Sequence, residues 1–169
     1  NGPEADFAVV FASFDRSLKH KGINAFVVPM DHPGVSTGKP EDKLGIRSSG
    51  TCSIIYKDCV VPDAWKLGGD GDGFKIAMST LDGGRIGIAA QSLGVAQAAF
   101  DAAVKYAKQR DQFGQKISKF QGLRWTIADM ATEIEAARQL TLSAAAMKDR
   151  TEKFTTQASM AKLYASEMV

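Results

Sequence analysis

The chain has 169 residues, of which 44% are hydrophobic and 24% charged, and its formal net charge is +2. These are ordinary values for a folded globular chain, so they argue against disorder and against a basic nucleic-acid-binding surface. No apolar run is long enough to predict a membrane-spanning helix, and two cysteines are too few for a disulfide scaffold.

Proline and glycine divide the chain near residue 73. All five prolines and ten of the 16 glycines lie at or before Gly73, and no proline follows Pro62. Because proline interrupts helix interiors, its absence from the rest of the chain permits long helices. We therefore expect a β-domain with a linker over residues 1–73 and a helical domain over residues 74–169.

The first domain is predicted to form short strands. Residues 7–12 are a continuous apolar run, long enough for a strand buried on both faces, and residues 24–30 form a second run. Residues 51–62 are rich in β-branched side chains and stop at Pro62, which predicts a third strand. Turn residues lie between these runs, so an antiparallel sheet or small barrel is favoured.

A glycine-rich segment, residues 68–73, follows these strands. It has the glycine content of a phosphate-binding loop, but it lacks the Gly-Lys-Ser/Thr of a Walker loop and the glycine spacing of a dinucleotide-binding turn. The residues that follow also exclude an EF-hand calcium loop. We interpret the segment as a flexible linker between the sheet and the helices.

The second domain is predicted to be helical. Apolar residues recur at helical spacing over residues 74–110 and 118–147, and residues 110–116 connect the two, with Gly114 as the turn. Gly83–Gly84 predicts a break or a helix start. A further helix over residues 157–169 continues to the last residue, so we expect an internal piece of a longer protein. Long helices joined by a short loop favour an antiparallel bundle.

The two histidines do not indicate a catalytic site. His20 and His32 lie in predicted turns, with no serine or cysteine signature of a nucleophilic triad around them. No cluster of cysteine and histidine has the spacing of a metal site. We therefore expect surface histidines and no bound metal.

Two interpretations of residues 82–85 remain open. Asp82 can cap a helix that starts after two glycines, which is an ordinary structural role. Alternatively, the free N–H groups of a helix start and the fixed charge of Arg85 form a site for an anionic or polar ligand.

Residues 110–117 also allow two interpretations. Arg110 near the end of a helix is favourable because of the helix dipole alone. Alternatively, Arg110 and the aromatic ring of Phe113 combine a bidentate phosphate ligand with a stacking surface, which suits a nucleotide-like cofactor.

Six blocks of residues, taken together, resemble those of one family. In chain order they are Lys-Leu-Gly-Ile-Arg at 43–47, Asp-Cys-Val-Val-Pro at 58–62, Gly-Phe-Lys-Ile-Ala-Met at 73–78, Leu-Asp-Gly-Gly-Arg-Ile-Gly-Ile-Ala at 81–89, Arg-Asp-Gln-Phe-Gly at 110–114 and Phe-Gln at 120–121. The chain resembles the acyl-CoA dehydrogenase family over nearly its whole length, and its short-chain, butyryl-CoA-type members most closely.

The resemblance implies an α+β fold. Residues up to about 70 would belong to the family's small antiparallel middle domain. Those from about 74 would form the first long antiparallel helices of its C-terminal four-helix bundle. Both domains would be incomplete.

The resemblance also implies an activity, which is FAD-dependent α,β-dehydrogenation of short-chain fatty acyl-CoA thioesters in β-oxidation. A carboxylate removes the α-proton, the β-hydrogen leaves as hydride to FAD, and the electrons pass to electron-transferring flavoprotein. Alternatives are an acyl-CoA oxidase and a family member that serves as a structural partner. The expected location is the mitochondrial matrix in a eukaryote or the cytoplasm in a bacterium.

Four residues are implied to bind FAD. The family's Arg-x-x-Phe-Gly motif contacts the diphosphate and adenine of FAD held by a neighbouring subunit, which here identifies Arg110 and Phe113, with Gln112 beside them. The glutamine eleven residues after that arginine, Gln121, also faces FAD. Since these contacts cross subunits, a homotetramer or homodimer is implied.

Four further residues are implied to line the substrate channel. The family's segment matching Asp82, Gly83, Gly84 and Arg85 borders the acyl-CoA, and its arginine meets the CoA end. Some members carry their catalytic glutamate just before this arginine, where the chain has Gly84. The expected base therefore lies beyond Val169, so that the chain alone is not expected to be active.

Overall fold

The computed structural model describes residues 1–169, which form two compact units, Asn1–Met78 and Ser79–Val169. The expected α+β fold class is confirmed, because small antiparallel sheets are followed by three long helices. None of the helices combines the length and apolar character needed to cross a bilayer.

The first unit is built on a three-stranded antiparallel sheet. Its strands are β1 (Phe7–Ser13), β2 (Ile23–Pro29) and β5 (Lys66–Leu67), in the order β1-β2-β5. A second sheet pairs β3 (Val35–Thr37) with β4 (Ile54–Tyr56). Single turns of 3-10 helix lie at Gly2–Glu4 and Asp63–Trp65, and a longer 3-10 segment lies at Arg16–Gly22.

The expectation that β1 is buried on both faces is wrong. Phe7 is 61% exposed, and Val9 and Phe11 are also exposed, because β1 is an edge strand that pairs with β2 on one side only. The central strand β2 holds the core instead, where Ala25, Phe26 and Val28 are buried.

The expectation of one strand over residues 51–62 is wrong in extent. The regular ladder is limited to Ile54–Tyr56 opposite the three residues of β3, with single backbone hydrogen bonds from Gly38 to Ser53 and from Lys57 to Gly34 beside it. The backbone leaves the extended region at Asp58, whose φ is 50°, so the β-branched residues beyond it do not continue the ladder.

The glycine-rich segment joins the first unit's sheet to the first helix through specific contacts. The Gly69 amide donates to Asp72 Oδ2 at 2.9 Å, and the Gly71 amide donates to Oδ1 of the buried Asn24 at 3.0 Å. A Cβ on Gly73 would lie 2.5 Å from the Asn24 backbone. The expected linker is therefore a fitted turn, and the expectation of flexibility is wrong.

The helices are α1 (Gly73–Gln109), α2 (Gln121–Asp149) and α3 (Thr155–Met168). Between α1 and α2 lie β6 (Asp111–Gln112), β7 (Gln115–Lys116) and a 3-10 turn, Ile117–Lys119. Alanines form the buried core of the second unit, with larger apolar side chains packed at its margin. The alanines are Ala89 on α1, Ala137 and Ala144 on α2, and Ala161 and Ala165 on α3.

Candidate functional site

A short β-hairpin with a two-residue turn follows α1, and Phe113 lies in that turn. β6 pairs with β7 so that Asp111 lies opposite Lys116, and Phe113 and Gly114 make the turn. Both turn residues have positive φ, 53° and 78°. A type I′ hairpin turn requires positive φ at both central positions, so the short connection places Phe113 in the left-handed region. The expected turn at Gly114 is confirmed, within a hairpin that the sequence did not predict.

Lys116 fixes the base of this hairpin. Its ammonium donates to Asp111 Oδ2 at 2.6 Å and to the Gln109 carbonyl at 3.0 Å. The Ile117 amide donates to the Arg110 carbonyl at 2.9 Å. The hairpin is therefore tied to the end of α1. Sequence reasoning missed Asp111 and Lys116, although opposite charges at both flanks of a Phe-Gly turn were an available signal.

The Phe113 side chain is 91% exposed. Its ring meets only the edge of Phe120, with the ring centroids 6.2 Å apart and the planes at 81°. A bulky residue in the left-handed region costs about 1–3 kcal/mol of backbone strain. The hairpin therefore holds an aromatic ring in solvent in a strained conformation, which favours a binding role over a packing role.

Arg110 lies beside the hairpin with its side chain free. Its amide donates to the Tyr106 carbonyl, but its guanidinium belongs to none of the ion pairs of the chain. Gln112 in β6 and Gln121 at the start of α2 are also exposed. An unpaired guanidinium, an aromatic face and two amides together fit a ligand with a diphosphate and a planar ring.

The expected helix start at Asp82–Arg85 is wrong. α1 begins at Gly73 and continues through Gly83 and Gly84 to Gln109. Backbone N–H groups in a helix interior donate to carbonyls four residues earlier, so they are not free to bind an anion. Any ligand-binding role of this segment therefore depends on its side chains and on the space beside the glycines.

Asp82 accepts two hydrogen bonds from different helices. Its Oδ1 accepts from Arg85 Nη1 at 2.5 Å, within α1, and its Oδ2 accepts from Thr155 Oγ1 at 2.6 Å, at the first residue of α3. The Asp82 side chain is 16% exposed and that of Arg85 is 39% exposed. Asp82 is thus engaged within the chain, whereas Arg85 remains accessible to a ligand.

The two glycines leave space beside Arg85. A Cβ on Gly84 would meet nothing within 4 Å, and one on Gly83 would lie 3.3 Å from the Lys148 ammonium at the end of α2. Arg85 and Lys148 therefore add two positive charges to a region where Asp82 supplies one negative charge. Sequence reasoning missed Lys148 and Thr155, because both lie more than 60 residues away along the chain.

A short loop connects Lys148, near the end of α2, to Thr155, at the start of α3. Arg150 Nε donates to Glu152 Oε1 at 2.6 Å within the loop. This hydrogen bond and the charge of Arg150 lower the pKa of Glu152. Glu152 is therefore ionised and paired inside the loop.

The two candidate groups lie far apart along α1, because Arg85 is in the helix interior and Arg110 directly follows its last residue. Arg85 and Gln109, the last residue of α1, are 24 positions apart, which at about 1.5 Å per residue is about 36 Å. The structure therefore does not bring the Asp82–Arg85 segment and the Arg110 hairpin together within one chain.

The histidines have structural partners. His32 Nε2 lies 2.8 Å from the Val60 carbonyl, and its ring packs edge-on against Trp65 at 4.9 Å between centroids. The His20 ring lies 5.4 Å from that of Phe74. Neither histidine lies beside a nucleophilic side chain in these contacts.

Comparison with family models gives two matches that together cover most of the chain. Residues 71–169 match the acyl-CoA dehydrogenase C-terminal domain, and residues 1–59 match the acyl-CoA dehydrogenase middle domain.

Individual proteins show the same similarity. The chain is 56% identical over 167 residues to the mitochondrial short-chain specific acyl-CoA dehydrogenase of Mus musculus, covering 99% of this chain and 40% of the relative. It superposes on butyryl-CoA dehydrogenase from Megasphaera elsdenii with a TM-score of 0.97 at 49% identity, covering 99% of this chain and 44% of that one. A chain in a structure described as electron transferring flavoprotein of Acidaminococcus fermentans gives a TM-score of 0.96 at 54% identity, with the same coverage. The chain thus spans less than half the length of these proteins.

Proposed function

Because this chain belongs to the acyl-CoA dehydrogenase family, we propose that the protein containing it is an FAD-dependent dehydrogenase of short-chain acyl-CoA thioesters. Its product is the trans-2-enoyl-CoA, as expected in fatty-acid β-oxidation. The similarity to short-chain specific relatives supports the short acyl chain. Residues 1–73 would be part of the middle domain with its linker, and residues 74–169 part of the C-terminal bundle.

The observation that carries this proposal is the free side chain of Arg110 beside the exposed ring of Phe113. The guanidinium belongs to none of the ion pairs of the chain, and the hairpin holds the ring in solvent despite backbone strain. We propose that Arg110 binds the FAD diphosphate and that Phe113 contacts the adenine part, with Gln112 and Gln121 as amide contacts. When bound, FAD would accept the hydride that leaves the β-carbon of the thioester.

The Asp82–Arg85 segment is proposed to border the substrate. Arg85 provides a fixed cation for the anionic CoA end, and Gly83 and Gly84 leave room for the ligand beside α1. Both oxygens of Asp82 are engaged within the chain, so it does not serve as the base that removes the α-proton. That base is proposed to come from a glutamate of the full-length protein outside this chain.

The partners and the location follow from the same proposal. The reduced enzyme would pass electrons to electron-transferring flavoprotein, and it would be a homotetramer or homodimer in which FAD contacts cross subunits. Relatives from a mammalian mitochondrion and from a bacterium are both similar to the chain. We therefore propose the mitochondrial matrix for a eukaryotic source and the cytoplasm for a bacterial one.

The test is anaerobic addition of butyryl-CoA to the purified full-length protein, followed by the visible flavin absorbance. We expect the flavin band to bleach, since the thioester reduces the bound cofactor. A flavin band that persists with butyryl-CoA, hexanoyl-CoA and octanoyl-CoA would contradict the proposed activity. Rapid recovery of the band on admission of air would identify an oxidase, and a protein purified without flavin would favour a structural role.

A further inference from the structure

The contact between Asp82 and Thr155 connects the proposed substrate cation to a helix that the sequence did not implicate. Thr155 is the first residue of α3, and its hydroxyl donates to Asp82 Oδ2 at 2.6 Å. The other oxygen of Asp82 accepts from Arg85 Nη1. A hydroxyl, a carboxylate and a guanidinium therefore form one continuous chain of hydrogen bonds from α3 to α1.

Asp82 and Arg85 alone would form a weak pair. Residues three apart on a helix face are neighbours, but an exposed ion pair contributes little because water screens it and two side chains lose rotamer freedom. Here the carboxylate is shielded, with its side chain 16% exposed, and the bond from Thr155 fixes its orientation independently of Arg85. A carboxylate held in this way presents Oδ1 to Arg85 in one position.

We propose that Thr155 is a positioning residue for Arg85 and acts through Asp82. This inference rests on the proposed function, in which Arg85 meets the anionic end of the CoA thioester. Arg85 uses one N–H on Asp82, and its other N–H groups remain available at 39% side-chain exposure. Holding the guanidinium in place before the ligand arrives removes part of the ordering entropy of binding, so Thr155 strengthens thioester binding without touching the ligand.

The experiment uses the full-length protein with FAD bound and compares three variants. Thr155→Val removes the hydroxyl with little change of shape, and Thr155→Ser keeps it. Thr156→Val is the matched control, because Thr156 is exposed, lies next in the chain and makes no side-chain hydrogen bond to Asp82. Steady-state kinetics with butyryl-CoA, flavin content and thermal unfolding are measured for each.

In Thr155→Val we expect KM for butyryl-CoA to rise about fivefold, as the loss of one hydrogen bond predicts, while kcat stays near the parental value. Flavin content should not change, because Arg110 lies about 36 Å along α1 from Arg85. Thr155→Ser should restore KM to within about twofold of the parent, and Thr156→Val should leave it unchanged.

Two results would overturn the proposal. An unchanged KM in Thr155→Val, with or without a lower melting temperature, would show that Thr155 serves only to join α1 to α3. A KM that rises equally in Thr156→Val would show a general effect of altering the start of α3. If the parent protein shows no flavin reduction by acyl-CoA thioesters, the proposed function itself fails, and this inference fails with it.

Asp82→Asn tests the same connection if Thr155→Val does not fold. The amide keeps an oxygen that can accept from Thr155 but removes the negative charge opposite Arg85. We expect KM for butyryl-CoA to rise at least as much as in Thr155→Val, since hydrogen bonds to charged groups are the stronger ones. An unchanged KM in Asp82→Asn would also overturn the proposal.

Discussion

Backbone hydrogen bonds and turn geometry determine the positions of Arg110 and Phe113, whereas packing determines the positions of the buried side chains of the second unit. The Arg110 carbonyl is bound by the Ile117 amide, and the turn geometry directs Phe113 into solvent. Both side chains can therefore be replaced with little effect on the buried alanine core. This separation makes their proposed role in cofactor binding testable without unfolding the protein.

Arg110→Ala is expected to weaken FAD binding by about tenfold to a hundredfold, because it removes a charge-assisted contact to the diphosphate. The measurement is the ratio of flavin to protein absorbance after gel filtration of the full-length protein. Arg124→Ala is the control, since Arg124 is also exposed and takes part in no ion pair. Full flavin retention in Arg110→Ala, or equal loss in Arg124→Ala, would contradict the assignment of Arg110.

At the scale of elements, the hairpin and α1 show what the sequence could and could not predict. The Arg110–Lys116 connection and the glycine turn were evident from composition. The Gly83–Gly84 pair predicts a helix break, because glycine lowers helix stability by about 1 kcal/mol per residue relative to alanine. In a 37-residue helix packed through Ile86, Ala89 and Leu93, tertiary contacts outweigh that local preference. The sequence does not point to Thr155, because its contact with Asp82 joins residues 73 positions apart and exists only in the folded chain.

Phe113→Asn is expected to separate stability from binding in the hairpin. Asparagine tolerates positive φ, and Asn-Gly is the preferred type I′ turn, so the free energy of unfolding of the apoprotein should rise by about 1 kcal/mol. FAD retention should fall, because the exposed ring is lost. Urea unfolding and flavin absorbance measure the two effects. Phe113→Tyr keeps both the ring and the strain and should match the parent, and a less stable Phe113→Asn would show that the ring is a packing residue.

At the scale of the whole molecule, Arg85 and the Arg110 hairpin of one chain are too far apart to contact the same part of a ligand. About 36 Å of α1 separates Arg85 from the Arg110 hairpin. In a symmetric oligomer each active site can take Arg85 from one subunit and Arg110 from its neighbour. This arrangement predicts complementation between subunits with different defects.

A mixed dimer of Arg85→Ala and Arg110→Ala subunits tests this arrangement. One of its two sites carries both defects, and the other carries neither, so we expect about half of the parental activity, although each homodimer is nearly inactive. Co-expression of differently tagged subunits and sequential affinity purification provide the sample. Activity of the mixed dimer no greater than the mean of the two homodimers would show that both residues serve the same subunit's site.

The alanine core of the second unit restricts how this part of the sequence can vary. The contact between α2 and α3 contains four fully buried alanines, namely Ala137 and Ala144 on α2 and Ala161 and Ala165 on α3. A larger side chain at any of them would force the helices apart, at a typical cost of about 1–3 kcal/mol. Glycine is the only smaller residue, and it lowers helix stability by about 1 kcal/mol relative to alanine. Amino-acid substitution at these four positions is limited by side-chain volume rather than by hydrophobicity. The register of α3 against α2 is therefore protected against gradual change, and so is the position of Thr155 beside Asp82.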